Sequence, residues 1–144
     1  MDWSADGRTF FFADSGSETV DAYAVDAVGA PTAAPPRRVA ALPSGHAHVP
    51  DGLCLDAAGN LWVALGESGA VVCYSPTTGE ELRRVALPVK RPTSCAFGGG
   101  AREVLYVTTR VEAGEGASAH HGGLFAVRVP GVRGAAGGFH EYAL

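Results

Sequence analysis

The stretch from Pro50 to Leu65, which reads PDGLCLDAAGNLWVAL, predicts two short strands joined by a tight turn. Residues 53–55 and 61–65 are apolar runs of strand length. The segment between them, Asp56 to Asn60, contains Asp, Gly and Asn, which are typical turn residues. Similar pairs of strand-length runs occur before and after this stretch, so the rest of the chain can be aligned on it.

The repeat has the period of a β-propeller. When the repeats are aligned on the aromatic residue of each second strand, Phe10, Trp62 and Tyr106, they lie 52 and then 44 residues apart. Four strand-length runs per repeat and a period of about 40–50 residues are typical of propeller blades. The sequence therefore predicts an all-β protein in which one region, 1–144, contains three four-stranded blades at about 1–44, 45–88 and 89–144.

Each predicted blade has an outermost strand and a buried second strand. Residues 37–42, 81–87 and 139–144 are expected at the outer rim, where Arg37-Arg38 and Arg83-Arg84 would form a solvated edge. The second strands are apolar at successive positions, as expected when neighbouring sheets cover both faces. The three aligned aromatic residues are therefore predicted to pack between blades.

Three blades do not close a ring, because propellers contain about 4–8 blades. An open set would expose an apolar face at each end. We therefore expect the chain either to belong to a larger protein or to assemble with another copy, since three plus three blades make a six-bladed ring.

The composition excludes several classes of partner. The net charge of −4 and the lack of a basic cluster argue against nucleic acid and against an anionic membrane surface. No apolar run approaches the roughly 18 residues of a membrane span, and the N-terminus has no signal-peptide pattern. Cys54, Cys73 and Cys95 have no metal-binding spacing and fall in apolar runs, which predicts buried, reduced thiols in a cytoplasmic protein.

Asp51 is the candidate functional residue. It begins an apolar strand between Pro50, which fixes its own φ, and Gly52, which allows another group to approach the backbone closely. It aligns with Thr93 in the third repeat, and both would lie at the mouth of the central channel. An acid there either caps a turn or contributes to a hard cation site, which requires several oxygen ligands. Asp56 is expected to be a turn residue, and its replacement by Ala to change stability by no more than about 1 kcal/mol.

Three motifs resemble the SMP-30/gluconolactonase family, which includes regucalcin and sugar lactonases. They are DWSADGRTFFFADSGSETVDAY, VPDGLCLDAAGNLWVALGESGAVVCYSPTTGE and LPVKRPTSCAFGGG followed by LYVTT. The resemblance implies a six-bladed propeller, one divalent metal held by Glu, Asn and Asp at the channel mouth, and hydrolysis of an aldonic acid lactone. Asp51 matches the family's Asp in the P-D-G motif. The positions of the family's Asn and Glu precede the first residue here, so the chain resembles the C-terminal half.

The resemblance implies a metal-dependent sugar lactone hydrolase in which Asp51 binds the metal and accepts a proton from the attacking water. Calcium or zinc is the expected ion, with magnesium, manganese and iron also open. The expected partners are the small sugar lactone and either an N-terminal half-propeller or a second copy. The alternatives are a non-catalytic metal-binding propeller or interaction scaffold, and a truncated gene product.

Histidine supplies a weaker set of candidates. His46 and His48 lie in the loop that enters Asp51, and a His-x-His pair beside a carboxylate can bind zinc or iron. A polar surface loop explains the same pattern. His120 and His121 fall in a Gly- and Ala-rich loop and are expected to be solvated. No serine-hydrolase, P-loop or dinucleotide-binding motif is present.

Overall fold

The computed structural model describes residues 1–42, 49–111 and 119–136, and these residues form three antiparallel sheets. The first sheet contains β1 (Asp2–Trp3), β2 (Thr9–Asp14), β3 (Thr19–Ala24) and β4 (Arg37–Ala41). The central sheet contains β5 (Val49–Leu55), β6 (Leu61–Gly66), β7 (Ala70–Tyr74) and β8 (Glu81–Ala86). The third sheet contains β9 (Pro92–Gly98), β10 (Val104–Thr109) and β11 (Leu124–Arg128).

The all-β prediction is confirmed, since these ranges contain no helix. It follows that no described segment is a helix capable of crossing a membrane. Strands that are consecutive in the chain are neighbours within each sheet, and β4 and β8, which were predicted as outermost strands, lie at sheet edges. The predicted outermost strand at 139–144 lies outside the described residues.

The central sheet is buried on both faces. Along β6, Leu61, Val63 and Leu65 pack against the first sheet, whereas Trp62 and Ala64 pack against the third. Consecutive residues of a strand point to opposite faces, so a strand between two sheets requires an uninterrupted apolar run. The run LWVAL meets that requirement, and its five residues are at most 1% exposed.

The alignment of the aromatic residues needs one correction. Trp62 is buried between two sheets as predicted, but Tyr106 is 38% exposed, and Phe10 points away from the central sheet. Phe11, not Phe10, packs towards the central sheet. Tyr106 is exposed because it lies on the outer face of the third sheet, which no other described sheet covers. For Phe10 the cause is the first turn, in which Trp3 pairs with Phe10 while the corresponding pair is Leu55 with Leu61. The first turn is therefore one residue longer, and a shift of one residue moves each side chain to the other face.

Arginines of the outer strands also connect neighbouring sheets. Arg37 of β4 donates to the Pro76 carbonyl of the central sheet at 2.8 Å, and Arg83 of β8 donates to the Pro130 carbonyl at 3.1 Å. Their neighbours in sequence, Arg38 and Arg84, instead form ion pairs within their own sheets. The solvated edge expected at these positions is thus also a link between sheets.

Candidate functional site

Asp51 lies in a β-bulge at the end of the sheets where β5 and β9 begin, here called the mouth end. In the central sheet Pro50 pairs with Leu65 and Leu53 with Val63, so Asp51 and Gly52 together face a single residue. In the third sheet Pro92 pairs with Thr109 and Ser94 with Thr108, which leaves Thr93 unpaired. Bulges redirect side chains near sheet edges and functional sites. The sequence alignment of Asp51 with Thr93 thus has a counterpart in strand geometry.

At the bulge, β5 and β9 approach each other closely. A Cβ atom added to Gly52 would lie 2.6 Å from Cα of Ser94, and closer still to the Ser94 side-chain oxygen. Real Cβ atoms do not come this close to a backbone atom, so only glycine fits here. The predicted role of Gly52 is therefore confirmed, and the group that approaches it is Ser94.

Asp51 is exposed, but the surrounding protein atoms still shield its carboxylate partly from water. This burial raises the pKa of Asp51 above its usual value, and the backbone N–H of Gly52 and the amino group of Met1 partly oppose the increase. The preceding residue is fixed from the first sheet, because Ser15 Oγ donates to the Pro50 carbonyl at 2.7 Å. Asp51 is thus a solvent-accessible carboxylate on a segment held by three sheets.

Thr93 supplies a hydroxyl at the equivalent position. Its Oγ1 lies 2.9 Å from Oγ1 of Thr108 on the adjacent strand. A threonine hydroxyl carries no charge, so the third sheet does not add a second carboxylate beside Asp51 at the bulge.

The described residues do not complete a metal site. No group of three or more His, Cys, Asp or Glu side chains is placed to hold an ion in ranges 1–42, 49–111 and 119–136. Nearby acids at the mouth end have other partners: Asp14 accepts hydrogen bonds from Gly16 and Ser17, and Glu67 pairs with Arg91 at 2.7 Å. A hard divalent cation needs more oxygen ligands than Asp51 provides. His46 and His48 lie outside the described residues, and His120 is exposed in the turn before β11.

Asp56 has a larger structural role than the sequence indicated. Its side chain is 5% exposed and accepts hydrogen bonds from the backbone N–H groups of Ala58 and Asn60, from the Asn60 amide and from the Trp62 indole. The indole bond is 3.0 Å long and buried. Asp56 therefore fixes both the turn and the largest core side chain, and these bonds predict a cost for Asp56→Ala above the limit of about 1 kcal/mol expected from the sequence.

A wide cleft of about 1040 Å³ lies at the opposite end of the sheets from Asp51. Its walls include Trp62, Leu82 and three arginines, Arg83, Arg128 and Arg133. Two of these arginines already have partners, because Arg83 binds the Pro130 carbonyl and Arg128 pairs with Glu103 at 3.0 Å. These two arginines serve to connect structural elements, so Asp51 remains the candidate functional residue.

Comparison with known proteins gives the same family as the motifs. Residues 1–111 match the family model described as SMP-30/Gluconolactonase/LRE-like region. Regucalcin of Gallus gallus is 36% identical over 138 residues, a match that covers 93% of this chain and 46% of the relative.

Solved structures show a similar fold. A luciferin-regenerating enzyme superposes with a TM-score of 0.79 at 32% identity, covering 94% of this chain and 46% of that one. A calcium-binding protein, regucalcin, from Agrobacterium tumefaciens gives a TM-score of 0.75 at 30% identity, covering 92% and 45%. The chain therefore spans about half the length of the relatives it matches. It has a propeller-like fold and belongs to the SMP-30/gluconolactonase/LRE-like family.

Proposed function

We propose that this chain forms one half of a six-bladed propeller that hydrolyses a sugar lactone with the help of a divalent metal. The observation that carries the proposal is the placement of Asp51, an accessible carboxylate on the bulge of β5 at the mouth end. Membership of a family that includes gluconolactonases supports the reaction class. In this proposal the three sheets are three blades, at about 1–44, 45–88 and 89–144.

Asp51 contributes one carboxylate to the proposed site. One of its oxygens would bind calcium or zinc, and when bound the metal would polarise the lactone carbonyl. The second oxygen of Asp51 would accept a proton from the attacking water. Because burial raises the pKa of Asp51, its ionised form is a somewhat stronger base than an ordinary aspartate.

The described residues do not provide the remaining ligands, so in this proposal they come from a segment outside those ranges. The match covers 46% of the Gallus gallus relative, which supports taking that segment from the half that this chain does not match. A second copy of the chain would close a ring but would bring only another Asp51 and Thr93. The proposed catalytic partner is therefore the complementary half-propeller and not a second copy.

The test compares lactone hydrolysis by the chain alone with hydrolysis by the chain co-expressed with the unmatched N-terminal half of Gallus gallus regucalcin. The substrate is an aldonic acid lactone, acid release is followed in a pH-stat, and calcium or zinc is added or chelated. We expect no activity from the chain alone and metal-dependent activity from the pair.

Asp51→Ala in the same pair should abolish hydrolysis, while Asp6→Ala, an exposed turn aspartate at the opposite end, should leave it intact. Unchanged hydrolysis by the Asp51→Ala pair would remove Asp51 from the site. Metal binding by the pair without hydrolysis, measured by calorimetry, would instead support the non-catalytic metal-binding alternative.

A further inference from the structure

Two cysteine thiols from neighbouring sheets lie close together. Sγ of Cys54 on β5 lies 3.7 Å from Sγ of Cys95 on β9, and the residues are 41 positions apart. Both line a cavity of about 350 Å³, together with Phe97 and Arg102. Neither belongs to a disulfide. The lactonase proposal uses neither of them.

Hydrogen bonds assign a donor and an acceptor role to the two sulfurs. Cys95 donates to the Trp62 carbonyl at 3.2 Å, so its single S–H hydrogen is engaged there. The Cys54 S–H then points towards the Cys95 sulfur, which lies within contact distance. This bond and burial raise the pKa of the Cys54 thiol well above its usual value. The pair is therefore pre-positioned but mostly protonated at neutral pH.

We propose that Cys54 and Cys95 form a redox-sensitive site, in which a peroxide links them by an intramolecular disulfide between the central and third sheets. A disulfide requires an S–S distance of about 2.0 Å, so side-chain rotation must bring the sulfurs together by roughly 1.7 Å. Cys54 is half-buried and reaches the cavity, whereas Cys95 is 4% exposed. Cys54 is thus the thiol that meets the oxidant first.

The chemistry balances with hydrogen peroxide as the oxidant. The Cys54 sulfur attacks one peroxide oxygen, the O–O bond breaks, and a sulfenic acid and one water form. The Cys95 sulfur then attacks the Cys54 sulfur, the S–O bond breaks, and the departing hydroxide takes the Cys95 proton to leave as a second water. Two thiols are oxidised by two electrons, and the peroxide is reduced to two waters.

The link would tie β5 to β9 a short distance from the mouth end. It would close a loop of about 41 residues, which restricts the unfolded chain. We expect oxidation to raise the midpoint of thermal unfolding, and dithiothreitol to reverse the increase.

The test treats the purified chain with hydrogen peroxide, unfolds it in urea so that buried thiols become accessible, and blocks the remaining thiols with iodoacetamide. Linked peptides are then mapped by mass spectrometry without reduction. We expect a Cys54–Cys95 linkage within one chain, the loss of two hydrogen atoms, and one alkylated thiol, Cys73, out of the three. Because the Cys54 pKa is raised, the rate of linkage should increase as the pH rises towards that pKa.

Cys73→Ala is the matched control, since Cys73 is also buried in this core but has no thiol neighbour among the described residues. It should link as fast as the wild type, and Cys54→Ala should not link. The wild-type map alone suffices if either variant fails to fold. An unlinked Cys54 that only gains oxygen, linkage through Cys73, linkage only between chains, or no reaction would each overturn the proposal.

Discussion

At the scale of single residues, two aspartates, Asp51 within β5 and Asp56 directly after it, have opposite environments. Asp51 is exposed and accepts no hydrogen bond from a side chain in the described part of the chain, whereas Asp56 is buried with four donors. Asp56 therefore stabilises the fold through its hydrogen bonds, whereas Asp51 makes no comparable side-chain contribution. A charged residue that the fold does not need is a candidate for function.

The raised pKa of Asp51 predicts a pH-dependent gain in stability from Asp51→Asn. The folded-state pKa exceeds the unfolded value of about 3.8, because burial disfavours the charged form. Ionisation of Asp51 therefore lowers stability as the pH rises from below 3.8 through the folded-state pKa. The variant should unfold at a higher urea concentration than the wild type at neutral pH and show no such gain below that window.

Asp6 is the control with the opposite sign. The Ser4 hydroxyl and the Arg8 backbone N–H lower the pKa of Asp6, so its ionised form is favoured by folding. Asp6→Asn should therefore lose stability at neutral pH relative to acid pH. An Asp51→Asn variant that becomes less stable than the wild type as the pH rises would contradict the assigned environment of Asp51.

The buried hydrogen bond between Asp56 and Trp62 predicts a large cost for Asp56→Ala. The change removes the acceptor of four hydrogen bonds and leaves the Trp62 indole N–H buried without a partner. We expect a loss of about 3 kcal/mol in the free energy of unfolding, measured in urea. Trp62→Phe removes the donor, so the same Asp56→Ala change should cost less in that background, with a coupling of about 1 kcal/mol or more. Additive losses would show that the bond contributes little.

At the scale of strands, Gly52→Ala should be costly because two inner strands meet at that residue. The added methyl group would overlap both the backbone and the side chain of Ser94, so β5 and β9 must separate. We expect a loss of about 1–3 kcal/mol in the free energy of unfolding. Gly100→Ala is the matched control, because a Cβ there meets nothing within 4 Å. A Gly52→Ala variant as stable as the control would mean that the strands lie further apart.

The strands themselves were predictable because local patterns determine them. Turn residues separate apolar runs, and the continuous run of β6 indicated a strand covered on both faces. The face of Phe10 was not predictable from spacing, because one additional turn residue reverses every later side chain. The burial of Asp56 was equally hidden, since the same Asp-to-Asn turn fits an exposed loop. Its one signal was the tryptophan six residues later, close enough to reach back.

The predicted site shows the same division. The motif located Asp51 and Gly52 correctly on a strand, β5, because prolines and glycines punctuate strands in recognisable ways. The contact between the thiols of Cys54 and Cys95 was not predicted. They are far apart in sequence and come together only through the packing of β5 against β9.

At the scale of the whole molecule, the outer faces of the first and third sheets both carry aromatic side chains. The outer face of the first sheet has an aromatic cluster in which Trp3 and Tyr23 pack against Phe10 at ring-centroid distances of 4.9 and 6.0 Å. The outer face of the third sheet includes Tyr106 and Leu124, which are 38% and 67% exposed. In a closed propeller each such face contacts a neighbouring blade. Each outer face of this chain therefore resembles half of an interface between blades.

We accordingly predict that the purified chain self-associates through these faces when the complementary half is absent. Exposed apolar faces favour association, and two copies of three blades can close a ring about a two-fold axis. Tyr106→Asp places a charge on one face and should shift the mass measured by light scattering towards that of the monomer. Leu82→Asp is the matched control, because Leu82 is 47% exposed on an outer strand, so this change should leave the association unchanged.

A wild-type chain that stays monodisperse and monomeric at all concentrations, or equal effects of the two variants, would show that these faces do not meet. Association that disappears when the complementary half is supplied would show that the two partners compete for the same faces, because a half-propeller can close its ring only once.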